Sequence, residues 1–260
     1  MTILTEDRRA RAVVAPARYF YFHMALACAA VAFLGFAPTY FLPLARGSLP
    51  VTPSMIHAHG LIFFVWSLFF VFQAWLGASG QIGQHRSVGI VGVSLATAMT
   101  IFGFMAGVLS MQRAAAIGQK DAGIAFSIVP WSGILFFAIV FAIGIAMARR
   151  GEIHKRLMLL AGISILDAAV ARWFLTFLAP PGPPGPPPVA VTVPPALVAY
   201  LLLVAAIVHD WRTRGRPHAV YVIGGIVLVA IKLLNVPISE THAWHAFAGG
   251  ILALAQSPII

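Results

Sequence analysis

Long apolar stretches separated by short polar or basic runs organise this chain. Seven stretches stand out, at about 19–44, 55–78, 86–111, 124–148, 155–178, 194–211 and 219–237. A helix needs roughly 20 apolar residues to cross about 30 Å of hydrocarbon, and each stretch is close to that length. The pattern predicts an all-α, polytopic membrane bundle with seven transmembrane helices. It divides the chain into an N-terminal segment 1–18, a membrane domain 19–237 and a C-terminal segment 238–260. Residues 1–18 are charged and hold no apolar core, so the first helix is expected to act as its own insertion signal.

Composition agrees with lipid as the solvent. Of the 260 residues 60% are hydrophobic and 9% charged, against about 25% charged in a soluble domain. The net charge of +10 would suit nucleic acid if it formed one patch. Here the basic residues sit in short runs between apolar stretches, as membrane topology requires, so nucleic acid is not an expected partner. Arg8, Arg9, Arg11, Arg18, Arg86, Arg149, Arg150, Lys155, Arg156, Arg212, Arg214 and Arg216 fall on one side. Arg46, Arg113 and Lys120 fall on the other. The positive-inside rule then puts the N-terminus in the cytoplasm and the C-terminus outside. The one cysteine, Cys28, cannot form an internal disulfide.

The run Pro180–Pro188 reads as a stiff polyproline spacer on the outer side. Beyond Pro237, Ser239 is a helix-cap candidate, and 241–256 can form a short helix that crosses, lies on or packs against the membrane domain. A faint internal echo links His85-Arg86-Ser87-Val88-Gly89, opening the third helix, to His154-Lys155-Arg156-Leu157-Met158, opening the fifth. It hints that the second–third and fourth–fifth helices are related pairs.

Polar residues in unusual places carry the functional signal. His23, His85, His154, His209 and His218 fall at or near inner helix ends, His57 and His59 at the outer start of the second helix, and His242 and His245 outside. Any single histidine suits an interface, with an apolar body and a polar tip. Histidine is also the usual ligand of haem iron and a common one for zinc, copper and iron. His57 and His59, two residues apart, point about 200° from each other on a helix, so one faces the bundle and the other does not. Asp167 lies deep in the fifth helix, where an ionisable group is a functional hypothesis by default. Lys232 lies at similar depth in the seventh, and pairing would relieve both desolvation costs. The alternative partner for a protonated Asp167 is Ser164 or a backbone carbonyl. Arg172 is near enough to the outer surface to snorkel, and Gln73 is placed to line the same interior. A seventh-helix lysine suggests a retinal Schiff base, but the third helix holds no acid to serve as counter-ion.

The stretch His59-Gly60-Leu61-Ile62-Phe63-Phe64-Val65-Trp66 resembles the haem-binding helix of the di-haem transmembrane cytochrome b family, the ascorbate-dependent ferric reductases. His85-Arg86 is similar to the pair opening that family's next helix, and His154 stands where a later haem histidine would. The resemblance implies haem b, with His59, His85 and His154 as ligands and a quinone or a redox partner protein as partner. The inner pair His85 and His154 fits the family's alternate-helix pairing. The fourth helix has no histidine to face His59, so an outer haem would need His242, His245 or Met105. The His59-Gly60 stretch is also similar to a haem-ligating helix of haem-copper oxidases. The combination with Asp210-Trp211-Arg212-Thr213-Arg214-Gly215 resembles a widespread group of uncharacterised bacterial seven-helix inner-membrane proteins, which implies the fold and supplies no chemistry.

Three functions follow as expectations. The first is a b-type haem electron carrier with axial ligands His85 and His154 and a second site at His59. The second is a metal-dependent membrane enzyme or carrier holding zinc, copper or iron on His85, His154, His209 and Asp210, a mixed nitrogen–oxygen set. The third is a cofactor-free transporter, sensor or accessory subunit of a larger complex, with Asp167 and Lys232 as its working element.

Overall fold

A computed structural model describes residues 3–179 and 185–256, with side chains from residue 19 onward. Residues 180–184 of the proline run and the side chains of Arg8, Arg9, Arg11 and Arg18 lie outside the described residues. The described chain is all-helical: α1 Ile3–Phe36, α2 Leu42–Ala45, α3 Ser54–Ala78, α4 Ile82–Ala116, α5 Lys120–Phe126, α6 Ile128–Ala146, α7 Gly151–Ser164, α8 Asp167–Trp173, α9 Val193–Ala199, α10 Leu201–Arg214, α11 Ala219–Ser239 and α12 His242–Gln256.

Among the described residues, seven segments are long and apolar enough to cross a membrane: Tyr19–Ala45, Ser54–Ala78, Ile82–Ala116, Lys120–Ala146, Gly151–Leu178, Val189–Arg214 and Ala219–Ser239. They coincide with the apolar stretches of the sequence but run further into the polar flanks. The third span gains most, because α4 continues smoothly from Ile82 to Ala116. Its flanks are polar but contain no helix breaker, and hydropathy alone does not register such turns. Arg86 near the start of α4 and the Arg149–Arg150 turn lie at one end of the bundle, with Arg212, Arg214 and Arg216. This is the basic end below; the opposite end is the proline-rich end.

The larger apolar cluster of the interior is built around Trp66, Met99, Phe137, Phe141, Leu159, Leu160, Ile163 and Tyr221. Trp66 of α3 takes Phe137 and Phe141 of α6 edge-on, each at 5.3 Å between ring centroids. Many other apolar side chains, such as Leu61, Ile90, Phe177 and Leu254, face outward. Outward apolar faces on buried-core helices are the arrangement a lipid environment favours.

Small residues let backbones approach. A methyl at Gly35 would meet Ala169 at its backbone oxygen, so the first and fifth spans touch almost backbone to backbone there. The Trp173 indole donates to Leu34 O at 2.9 Å beside this contact. The fifth span is not one continuous helix. α7 ends at Ser164, Ile165 and Leu166 form a break closed by Leu166 N–H to Ile163 O at 3.1 Å, and α8 starts at Asp167. In the sixth span Tyr200 stands at the junction of α9 and α10.

α11 runs through Pro237 to Ser239, two residues past the proline. Pro237 has no N–H to donate to the carbonyl four residues back, and with two residues left in the helix little structure follows it. Ser239 is therefore a buried helical residue rather than a cap. Thr241 takes the capping role, with its Oγ1 accepting from Trp244 N–H at 3.2 Å. α12 packs against the proline-rich end: Ala248 and Leu252 join Met111, Ile124 and Trp131 in a second apolar cluster. Trp244 donates to Ile124 O at 3.0 Å and Gln112 to Ala255 O at 3.2 Å.

Candidate functional site

Two imidazoles meet at the basic end. His85 stands in the first turn of α4 and His154 in the first turn of α7. Their ring centroids are 6.0 Å apart and their planes are 84° to each other. Each ring is anchored in the same way. His85 Nδ1 lies 3.2 Å from Gln73 O of α3, and His154 Nδ1 lies 2.8 Å from Gly144 O of α6. A backbone carbonyl only accepts, so each Nδ1 carries a hydrogen, and in the neutral ring Nε2 is the nitrogen with the lone pair. Each histidine reaches back to the helix before it, so the echo between the two segments has a geometric counterpart. Gly144 holds this place because a side chain there would run into Met158 and come within 3.3 Å of Leu157 Cβ.

The amide of Gln73 is 9% exposed, and neither its nitrogen nor its oxygen has a hydrogen-bond partner. The sequence placed Gln73 toward the interior; the orphaned amide beside the carbonyl that anchors His85 appears only in three dimensions.

The remaining histidines go elsewhere. His57 Nδ1 is 2.7 Å from the Tyr40 hydroxyl. His59 tilts over Phe63 at 4.3 Å, with a buried Nδ1 that has no partner. Met105 is 45% exposed on the outer surface of α4, so it does not turn inward to face His59. His242 is exposed, and His245 partly so, on α12. His209 stacks flat on Phe20, 3.5 Å between centroids. His218 caps α11, accepting from Val220 N–H at 3.2 Å.

Asp210 does not join a histidine cluster. Arg156 grips it with two parallel bonds, Nε to Oδ2 at 2.8 Å and Nη2 to Oδ1 at 2.5 Å, and the side chains are 3% and 1% exposed. Oδ2 also accepts from His218 N–H at 3.3 Å. Arg156 Nη1 holds Glu152 at 2.7 Å, and its guanidinium lies 5.9 Å from the ring centres of Tyr21 and Tyr221. This clamp ties the first, fifth, sixth and seventh spans at the basic end. The sequence reading counted Arg156 as a surface loop charge. Its place in the second turn of α7, facing inward four residues after Glu152, was the available signal. With both Asp210 oxygens occupied, the mixed set of His85, His154, His209 and Asp210 is not assembled. Among the described residues no group of three or more His, Cys, Asp or Glu side chains could hold a metal ion.

Asp167 and Lys232 are in contact. Lys232 Nζ lies 2.5 Å from Asp167 Oδ2, with side chains 4% and 17% exposed. Asp167 Oδ1 accepts from the adjoining Ala168 N–H at 2.8 Å. Ser164 does not serve Asp167; its hydroxyl donates to Ala161 O at 2.8 Å. Arg172 stacks 3.8 Å above the Phe36 ring and donates to Ala168 O at 2.7 Å.

No family model, curated protein or solved structure matches this chain.

Proposed function

We propose that this multi-pass membrane protein is a b-type haem electron carrier of the bacterial inner membrane, with its N-terminus and basic end in the cytoplasm. His85 and His154 are its ligand pair, and a quinone or a redox protein is its partner. The observation that carries the reading is the matched anchoring of the two imidazoles 6.0 Å apart. Two imidazoles sharing one ion at metal–nitrogen distances of about 2.0–2.1 Å have centroids about 6 Å apart when nearly opposite, and about 5 Å apart when tetrahedral. The observed spacing lies in the range for two imidazoles on one ion, and His85 and His154 would hold a haem there. A zinc or copper site would draw further side chains, and the Asp210 carboxylate is committed to Arg156.

A haem bound there would supply one-electron chemistry. The chain's own contribution is orientation. The carbonyls of Gln73 and Gly144 fix both tautomers and raise imidazole basicity, the usual task of such outer partners. The orphaned Gln73 amide is available to hydrogen-bond a polar edge of the bound group. Met158 and Leu157 of α7 lie against Gly144, which leaves little room for a side chain there. His59 lacks a facing histidine, so one haem at the basic end is the version that the donors support.

The test is a reduced-minus-oxidised spectrum and haem content of the detergent-purified protein, from cells supplied with haem precursor. Low-spin b-haem bands are expected. His85→Ala and His154→Ala remove them, and His218→Ala leaves them unchanged. Folded protein without haem under these conditions overturns the reading.

A further inference from the structure

The polar residues of α11 are confined to one part of its length. Its buried stripe reads Tyr221, Gly225, Leu228, Lys232, Asn235 and Ser239. From Lys232 to the proline-rich end every buried position is polar. Asn235, 3% exposed, donates to Ser132 Oγ of α6 at 2.8 Å. Ser239, fully buried, lies 3.5 Å from Oε1 of the exposed Glu240. Toward the basic end the next turns are closed. Leu228 is 2% exposed, and Leu160 and Leu203 lie against Gly224 and Gly225.

Where the polar stripe stops, the fifth span is interrupted just before Asp167, and Tyr200 of the sixth stands at the junction of α9 and α10. Asp167 holds Lys232 yet keeps 17% of its side chain exposed. Tyr200 is 4% exposed, its hydroxyl has no hydrogen-bond partner, and it feels the Asp167 charge. A buried hydroxyl without a partner is a costly feature that proteins retain where another group or a water completes it. Helices broken at an ionisable pair are how membrane proteins build interior sites for small ions.

We propose that Asp167 is a proton-binding site inside the membrane domain, reached only from the proline-rich end along Glu240, Ser239, Asn235 and Ser132. A proton from bulk water passes through this stripe by way of water and adds to Asp167 Oδ2. The carboxylate becomes a neutral acid, Lys232 stays an ammonium, and the site gains one positive charge. The proton leaves by the same route, because the leucine layer seals the other side. Lys232 positions the carboxylate and Tyr200 offers a hydroxyl to the protonated or charged form. No charged side chain of α1 faces the pair among the described residues, and Cys28 is the buried titratable group there. Arg172 follows on the same span, and Asp121, His242 and His245 stand near the mouth on α5 and α12. The inference is independent of the histidine site.

The test has two parts, both on the full chain. In a Cys28→Ser background, Ser239→Cys, Asn235→Cys and Leu228→Cys are exposed to a small impermeant thiol reagent from each side of sealed vesicles. Reaction is expected at positions 239 and 235 from the proline-rich side, and none at 228 from either side. Infrared spectra of the reconstituted protein on acidification should show a protonated-carboxyl band. Asp167→Asn removes it, Lys232→Arg keeps it, and Asn235→Leu slows its appearance without removing it. Reaction at 228 from the basic side, an unreactive 239, or a band indifferent to Asp167→Asn overturns the proposal.

Discussion

Breaking the Arg156–Asp210 clamp should reveal strong coupling. The two side chains are 3% and 1% exposed and meet through two bonds of 2.8 and 2.5 Å. At an effective dielectric of about 20, charges about 3 Å apart attract by about 5–6 kcal/mol. Desolvation costs several kcal/mol per ion, so the pair is worth little against apolar residues of the same shape. Removing one partner is different, because the other stays buried and uncompensated. Asp210→Asn and Arg156→Met are each expected to cost about 3–5 kcal/mol. In the double variant the amide oxygen that replaces the carboxylate can still accept from the His218 N–H, so that bond adds little to the loss. Glu152 adds nothing comparable, since its side chain is 62% exposed and water replaces the guanidinium. The coupling between the two substitutions should therefore reach about 3 kcal/mol or more, the top of the range for direct contacts. Arg156→Lys keeps the charge but loses the planar fork, so it should fall between wild type and Arg156→Met. Reversible unfolding in mixed micelles of rising denaturing-detergent fraction measures all four proteins. Additive losses would refute the reasoning, as would a double variant weaker than both single ones.

The Asp167–Lys232 pair predicts the same sign. Asp167→Asn and Lys232→Met each cost about 3–5 kcal/mol, and the double variant recovers much of the loss, read as melting temperature in detergent. Gly144→Ala would displace the flexible end of Met158 and bring a methyl to 3.3 Å from Leu157 Cβ, which must shift; it should lower haem content more than it lowers helix content by circular dichroism. His218 titrates below the usual histidine value of 6.5, because burial and the nearby Arg156 and Arg214 charges oppose its protonated form. Its neutral ring caps α11, so this stability is present above pH 6.5 and is lost as pH falls through the lowered folded value. Replacing it with asparagine, which caps without titrating, should flatten the pH dependence of stability over that window. A cytoplasm-only fluorescent reporter fused after Gly215 should glow and one fused after Gln256 should not; the reverse pattern would invert the membrane orientation.

Apolar runs and basic loops were enough to mark the spans, because length and hydropathy are local properties set by the bilayer's thickness. Depth along a helix was also legible: Asp167 and Lys232 stand out as charges within apolar stretches, and each needs a partner. Which helices are neighbours was not legible. Seven apolar helices of similar length can pack in many orders, and their apolar faces differ little in lipid, so close backbone contacts such as Gly35 on Ala169 and the Trp66–Phe137–Phe141 cluster choose among them. That choice placed Asp210 in the grip of Arg156, although adjacency in the chain had suggested a site with His209. It turned Ser239 inward and gave the cap to Thr241. It also stranded the amide of Gln73 and the hydroxyl of Tyr200. The sequence determined where the membrane is crossed and which polar groups are costly inside it. Only the tertiary structure decided which of them are paired, because pairing depends on distances between helices far apart in the chain.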